Sequence, residues 1–164
     1  MQFLISDSNI FIDMEVSNLT QKMFELPYQF GVPDILYYEE LEEEHHNLLE
    51  YGLKTKKLSS NSIKYSQKII KKYPKTSPND LFALALAKQD SCPLITGDLE
   101  LRKAGAKEEV IVLGTIWLVE ELINHSIITI DEAREAYTLM KENERRLPWS
   151  IIEERFNSFQ PIEI

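Results

Sequence analysis

Ser77-Pro78-Asn79-Asp80-Leu81-Phe82-Ala83-Leu84-Ala85-Leu86-Ala87 leads shortly into Cys92-Pro93-Leu94-Ile95-Thr96-Gly97-Asp98, and the fold is read from this pair of stretches. Ser77 is placed to cap a helix. Pro78 takes a first-turn position that needs no N–H partner, and Asp80 sits three residues past the cap, where its charge suits the helix dipole. Leu81 to Ala87 is apolar on nearly every face, which predicts a helix packed on several sides. Leu94-Ile95-Thr96 reads as a short buried strand ended by Gly97. One acid thus stands at a helix start and another, Asp98, just past a strand end. In a parallel α/β sheet, helix starts and strand carboxyl ends share an edge, so Asp80 and Asp98 are expected to meet there.

The same alternation repeats outward from this unit. Phe3-Leu4-Ile5 is a short apolar strand running into Asp7, and Ile10, Phe11, Met14 and Val16 continue as a buried helix pattern. Phe30-Gly31-Val32-Pro33 reads as a second strand. Asp34 is then placed to cap a helix through Ile35, Tyr38, Leu41, Leu48 and Leu49 to Gly52, carrying Glu39, Glu40, Glu42, Glu43 and Glu44. Leu53 to Leu58 is an extended link, and Ser59 or Ser60 caps a lysine-bearing helix that ends by Pro74. Asp98 caps a short helix, Leu99 to Ala104, closed by Gly105. Val110-Ile111-Val112-Leu113 is an apolar strand stopped by Gly114, and Trp117, Leu118, Leu122 and Ile123 form a further helix face. Two more helices follow, one with a Thr129/Glu132 capping box and one from Pro148 to Phe159. This pattern predicts an α/β fold with a central parallel sheet of short strands flanked by helices. Residues 1–164 are expected to form a single domain, with a core over about 1–123 and a helical C-terminal extension over about 124–164.

A formal net charge of −9 would ordinarily argue against a nucleic-acid partner. The charge is segregated, however. No acid occurs from Tyr51 to Asn79, and eight of the 18 basic residues fall there, leaving ten against 27 acids elsewhere. Lys64, Lys68, Lys71, Lys72 and Lys75 recur at helical spacing within it and are expected to present a stripe to water and to RNA. Cys92 is the only cysteine, which excludes an internal disulfide and a cysteine-based zinc site and fits a core thiol. The acidic start and the lack of a long apolar run predict a soluble, cytoplasmic protein without a membrane partner.

On this topology Asp7, Asp80 and Asp98 share one sheet edge, within reach of a glutamate from the acidic helix. Any one of them alone reads as a helix cap. Two carboxylates ~4 Å apart repel by several kcal/mol at an effective dielectric near 20, so such a set calls for a cation. Oxygen-only ligands favour Mg²⁺ or Mn²⁺.

These residues resemble the PIN-domain ribonucleases, which include the VapC-type toxins. Asp7-Ser8-Asn9 after a strand is similar to the family's opening motif, Glu40-Leu41 to its Glu-Leu pair, and Asp80 and Thr96-Gly97-Asp98 to its third and fourth acids. The resemblance covers about Gln2 to Trp117. It implies a three-layer PIN-like fold and an Mg²⁺- or Mn²⁺-dependent endoribonuclease. It further implies that Asp7, Glu40, Asp80 and Asp98 hold one or two ions that activate water for attack on an RNA phosphodiester. By the same resemblance Asn9 and Thr96 orient the acids or the water, and a cognate antitoxin is among the partners implied. The region from Asn124 to Ile164, beyond the matched part, is expected to cover the domain, to form a homodimer or to hold a partner. A rotation of the acidic helix would put Glu44 in place of Glu40. The alternatives are a catalytically silent PIN-fold module that binds RNA or protein, and a haloacid-dehalogenase-like phosphatase. The second wants an acid where Asn9 stands. A phospho-receiver domain is disfavoured because Asp7 lacks a paired acid and Leu113 leads into Gly114. His45, His46 and the Arg145-Arg146 pair read as solvated helix ends, Trp117 and Trp149 as packing residues, and Asp13 as surface.

Overall fold

The computed structural model describes residues 1–158, so the expected end of the last helix at Phe159 and the final stretch of the extension lie outside the described residues. Five short segments in the first 113 residues form the strands of one parallel sheet. These are β1 (Gln2–Ser6), β2 (Tyr28–Pro33), β3 (Lys54–Lys56), β4 (Leu94–Ile95) and β5 (Val112–Leu113). Their spatial order is β3-β2-β1-β4-β5. Ile5 of the central strand pairs with Gly31 on one side and with Leu94 on the other.

Between the strands lie α1 (Ser8–Val16), α2 (Thr20–Met23), α3 (Asp34–Leu36), a π-helical turn (Tyr37–Leu41), α4 (Glu42–His45), α5 (Asn47–Tyr51), α6 (Ser60–Lys72), α7 (Pro78–Gln89) and α8 (Leu99–Lys107). After β5 come α9 (Thr115–Asn124), α10 (Ile130–Glu142) and α11 (Trp149–Ser158). The chain leaves β1 towards β2 in one direction and β4 towards β5 in the other. Right-handed crossovers therefore place the intervening helices on opposite faces of the sheet. On one face α7 packs on β1 and β2, with α6 and α8 against it. On the other, α1 packs with α2 and α10, and α9 touches both of these. The lack of polarity along α7 is explained by its place: Leu81, Ala83, Leu84, Ala85, Leu86 and Ala87 are all buried between sheet and α6.

Local signals set several helix starts. The side chains of Ser59, Ser77 and Asp98 accept hydrogen bonds from Ser62 N, Asp80 N and Leu101 N, and Thr129 and Glu132 form the expected capping box. Two expected elements differ. The helix from Asp34 to Gly52 is broken by the π turn and again at His46, although Gly52 ends it as expected in the left-handed region at φ 119°. Gly105 does not close its helix, because α8 runs on to Lys107. A Cβ on Gly105 would lie 2.5 Å from Val112 Cγ2, so this glycine permits close helix–strand approach.

Five helices end alike without glycine. Asn18, Ser91, Glu109, Ser126 and Glu144 follow α1, α7, α8, α9 and α10 with φ between 51° and 62°. In each case the next N–H donates back across the last turn, as in Leu19 N to Met14 O (2.8 Å) and Cys92 N to Ala87 O (3.0 Å). This is the Schellman ending, built here on residues that carry a Cβ.

Candidate metal and active site

The strand order reverses between β1 and β4, and the carboxyl ends of these two strands lie side by side: Asp7 N donates to Ile95 O at 3.3 Å. Such a reversal opens a crevice at the sheet edge. Asp7 follows β1 and is fully buried. Its Oδ1 accepts from Ile10 N at 3.2 Å, and its Oδ2 accepts from the Thr96 hydroxyl. The same hydroxyl oxygen accepts from Asp98 N at 3.0 Å. One buried threonine thus fixes both Asp7 and the backbone that carries Asp98.

Asp80 enters from the first turn of α7 and Glu40 from the π turn. Glu40 Oε1 accepts from Ser8 Oγ at 3.1 Å, and neighbouring Glu39 accepts from Asn79 Nδ2 at 2.8 Å. These bonds tie the π turn to the starts of α1 and α7. They bring Glu40, rather than Glu44, to the other acids. Burial, then the charge of Asp80, pushes the Asp7 carboxyl up to about 7, against the lowering effect of Thr96. Burial, then the charges of Glu40 and Asp98, pushes Asp80 up to about 6. All four acids therefore share one electrostatic neighbourhood. Among the described residues, no three His, Cys, Asp or Glu side chains already stand close enough to grip an ion. The donor chemistry nevertheless fits a hard divalent cation, since carboxylates whose proton affinity is raised by burial, and further by one another's charge, gain most from positive charge.

A family model for the PIN domain matches residues 3–160. The chain belongs to the PIN-domain family. The match extends the PIN assignment well past Trp117, through the helices after β5. The family's fold is nuclease-like, and PIN domains typically use divalent metals. A search of curated proteins returned no match. Among solved structures, the chain is similar to a PilT N-terminus domain protein from the hyperthermophilic archaeon Sulfolobus solfataricus P2. The identity is 12% and the TM-score 0.47, over 74% of this chain and 94% of that one.

Other expected residues fall in varied places. Thr96 orients the acids as described. Asn9 is exposed on this PIN domain and, among the described residues, bonds none of them; its Oδ1 accepts from Arg145 at 3.4 Å. Lys64, Lys68, Lys71 and Lys75 are exposed. Lys72 is turned to Glu108 at 2.8 Å, so its charge is already matched. Glu108 also accepts from Tyr65 and Tyr73, and these bonds hold its carboxyl down at about 2 although burial opposes them. No helix among the described residues is long and apolar enough to cross a membrane.

Three surface readings are corrected. Asp13 is buried, accepting from Arg145 Nε at 2.6 Å and Thr115 Oγ1 at 3.0 Å. Arg145 is accordingly no solvated helix end but a strap from the segment after α10 onto α1. His45 is half-buried against Glu15 at 2.5 Å. The signal for Asp13 was present, because it stands three residues from buried Ile10 and so on the same helix face. Its partners are more than a hundred residues away and left no local mark.

Proposed function

We propose that this PIN domain is an Mg²⁺- or Mn²⁺-dependent endoribonuclease that hydrolyses RNA phosphodiester bonds at the edge formed by Asp7, Glu40, Asp80 and Asp98. The observation that carries this reading is the convergence of acids from four separate elements on the strand-order reversal, with Asp7 and Asp80 both held well above the ordinary carboxylate range. A divalent ion held by these four carboxylates would neutralise charge on the scissile phosphate and activate water for in-line attack. Thr96 and Ile10 N hold the Asp7 oxygens in place, Ser8 orients Glu40, and the start of α7 presents Asp80. Fixed ligands of this kind reduce the reorganisation needed when substrate arrives. The exposed lysines of α6 supply phosphate-tolerant surface on an acidic protein. The biological setting we propose is that of a toxin held by a cognate antitoxin, with a homodimer as the working assembly.

The test is cleavage of single-stranded RNA by wild type and by Asp7→Asn and Asp80→Asn, each in Mg²⁺, in Mn²⁺ and in EDTA. Loss of cleavage in both variants and in EDTA supports the assignment. Near-full cleavage by either variant refutes it. RNA binding without cleavage by the wild type would instead make the chain a silent RNA-binding module.

A further inference from the structure

We infer that the groove beside Asp98 holds one nucleotide of single-stranded RNA next to the bond to be cut, its phosphate on Arg102 and Arg146 and its base against Trp117 and Ile151. This rests on the ribonuclease reading above. The groove has a volume of about 650 Å³ and runs between the ends of β4 and β5 and the starts of α9 and α11. Its walls are apolar, with Leu113, Trp117, Leu147 and Ile151, and its charged lining consists of Arg102 and Arg146 with no Asp or Glu. In a chain of net charge −9, a groove lined by two cations and no acid is selective for an anion. Its size suits a single nucleotide rather than a free ion.

Three further observations fix the occupant. Arg102 and Arg146 are exposed and their guanidinium groups make no hydrogen bond or ion pair among the described residues, whereas the adjacent Arg145 is matched by Asp13. Gly114 has extended backbone at φ −131°, which any residue adopts, yet a Cβ there would fall 2.7 Å from Arg102 Nη1. The missing side chain makes room for the guanidinium to lie across the strand end. Finally, Gly97, Leu99 and Arg146 line both this groove and the neighbouring cavity of about 410 Å³ that contains Asp98. An anion on the arginines is therefore next to the candidate acids, and the apolar wall lies where the attached base would follow. Planar guanidinium groups suit phosphate, and base contact with an aromatic wall is tolerant of sequence.

The experiment measures affinity in EDTA, where nothing is cut, by fluorescence anisotropy of a short single-stranded oligoribonucleotide. It compares wild type with Arg102→Gln, Arg146→Gln and Gly114→Ala, each checked for folding by circular dichroism. Each arginine variant is expected to weaken binding roughly tenfold and to flatten the salt slope by about 0.7. Gly114→Ala should weaken it less than the arginine variants, because the flexible guanidinium can shift but leaves its place across the strand end, and should add nothing in an Arg102→Ala background. An oligomer with abasic sites should bind wild type roughly tenfold more weakly, and the double arginine variant should lose part of that preference. Unchanged affinity and salt slope in folded arginine variants would overturn the groove assignment, even if metal-dependent cleavage through Asp7 stands. A poly-glutamate peptide that binds wild type and loses affinity in these variants, while RNA binding is unmoved, would also overturn it and make the groove a protein-docking surface. Conversely, arginine-dependent RNA binding in a protein that never cleaves would leave the groove standing and remove the nuclease reading.

Discussion

Asp7 concentrates the conflict between folding and chemistry at a single carboxyl. Its folded-state value of about 7 lies above the ordinary 3.8, so the folded protein binds its proton first as pH falls. The sign follows by linkage: this contribution to stability is complete below about 3.8 and is lost as pH rises through about 7. At ~1.4 kcal/mol per pH unit, keeping Asp7 ionised costs on the order of 4 kcal/mol. Asp80, raised to about 6, acts in the same sense. Glu108 acts oppositely, because a value of about 2 against 4.5 makes its contribution disappear as pH falls below 4.5. The metal-free protein is therefore expected to be most stable at about pH 3.5–4, where the two opposing trends cross, with Tm declining towards pH 8. Asp7→Asn should flatten that decline; calorimetry in EDTA checks both, and a flat wild-type profile would contradict the burial argument. Thr96→Val, which strips a donor from a buried carboxylate, should cost roughly 1–3 kcal/mol at pH 8 and less at pH 5, with Thr96→Ser restoring most of it.

Helices whose starts are set within four residues of sequence were legible. Ser59, Ser77, Asp98 and Thr129 announce their caps locally, and the carboxyl ends of β1 and β4 followed from the apolar runs before Asp7 and Thr96. What was hidden depends on distant contacts. The π turn that seats Glu40 is held by Ser8 and by the Glu39–Asn79 bond, and the Asp13–Arg145 strap joins residues at opposite ends of the chain. Gly105 misled for a related reason, since a helix-ending signal in sequence is a packing requirement against Val112 in space. Gly105→Ala should therefore destabilise by about 1–3 kcal/mol despite better helix propensity. Val112→Ala should relieve much of that cost in the double variant, and urea denaturation of the four proteins measures the coupling; additive effects would refute the contact.

The charge of the whole molecule is divided between an acid-bearing sheet edge and exposed basic surface on α6 and beside Asp98. If the edge binds a divalent ion in the folded state alone, Mn²⁺ should raise Tm by mass action, and the rise should shrink in Asp98→Asn. Equal shifts in both proteins would place the ion elsewhere. Charge reversal at Lys64, Lys68 and Lys71 should weaken RNA binding across sequences and reduce the salt slope by about 0.7 per lost phosphate contact, with the Mn²⁺ response retained. The recurrent Schellman endings have a consequence of another kind. Serine or glutamate in the left-handed region pays a steric penalty that glycine does not, so Ser91, Glu109 and Ser126 are ready-made points for engineering. All three lie at helix ends away from the candidate acids. Replacing them together with glycine should raise Tm by roughly 5 °C while leaving catalysis untouched, so that a protein tuned only to adequate stability contains, in its helix ends, unused room for thermal hardening.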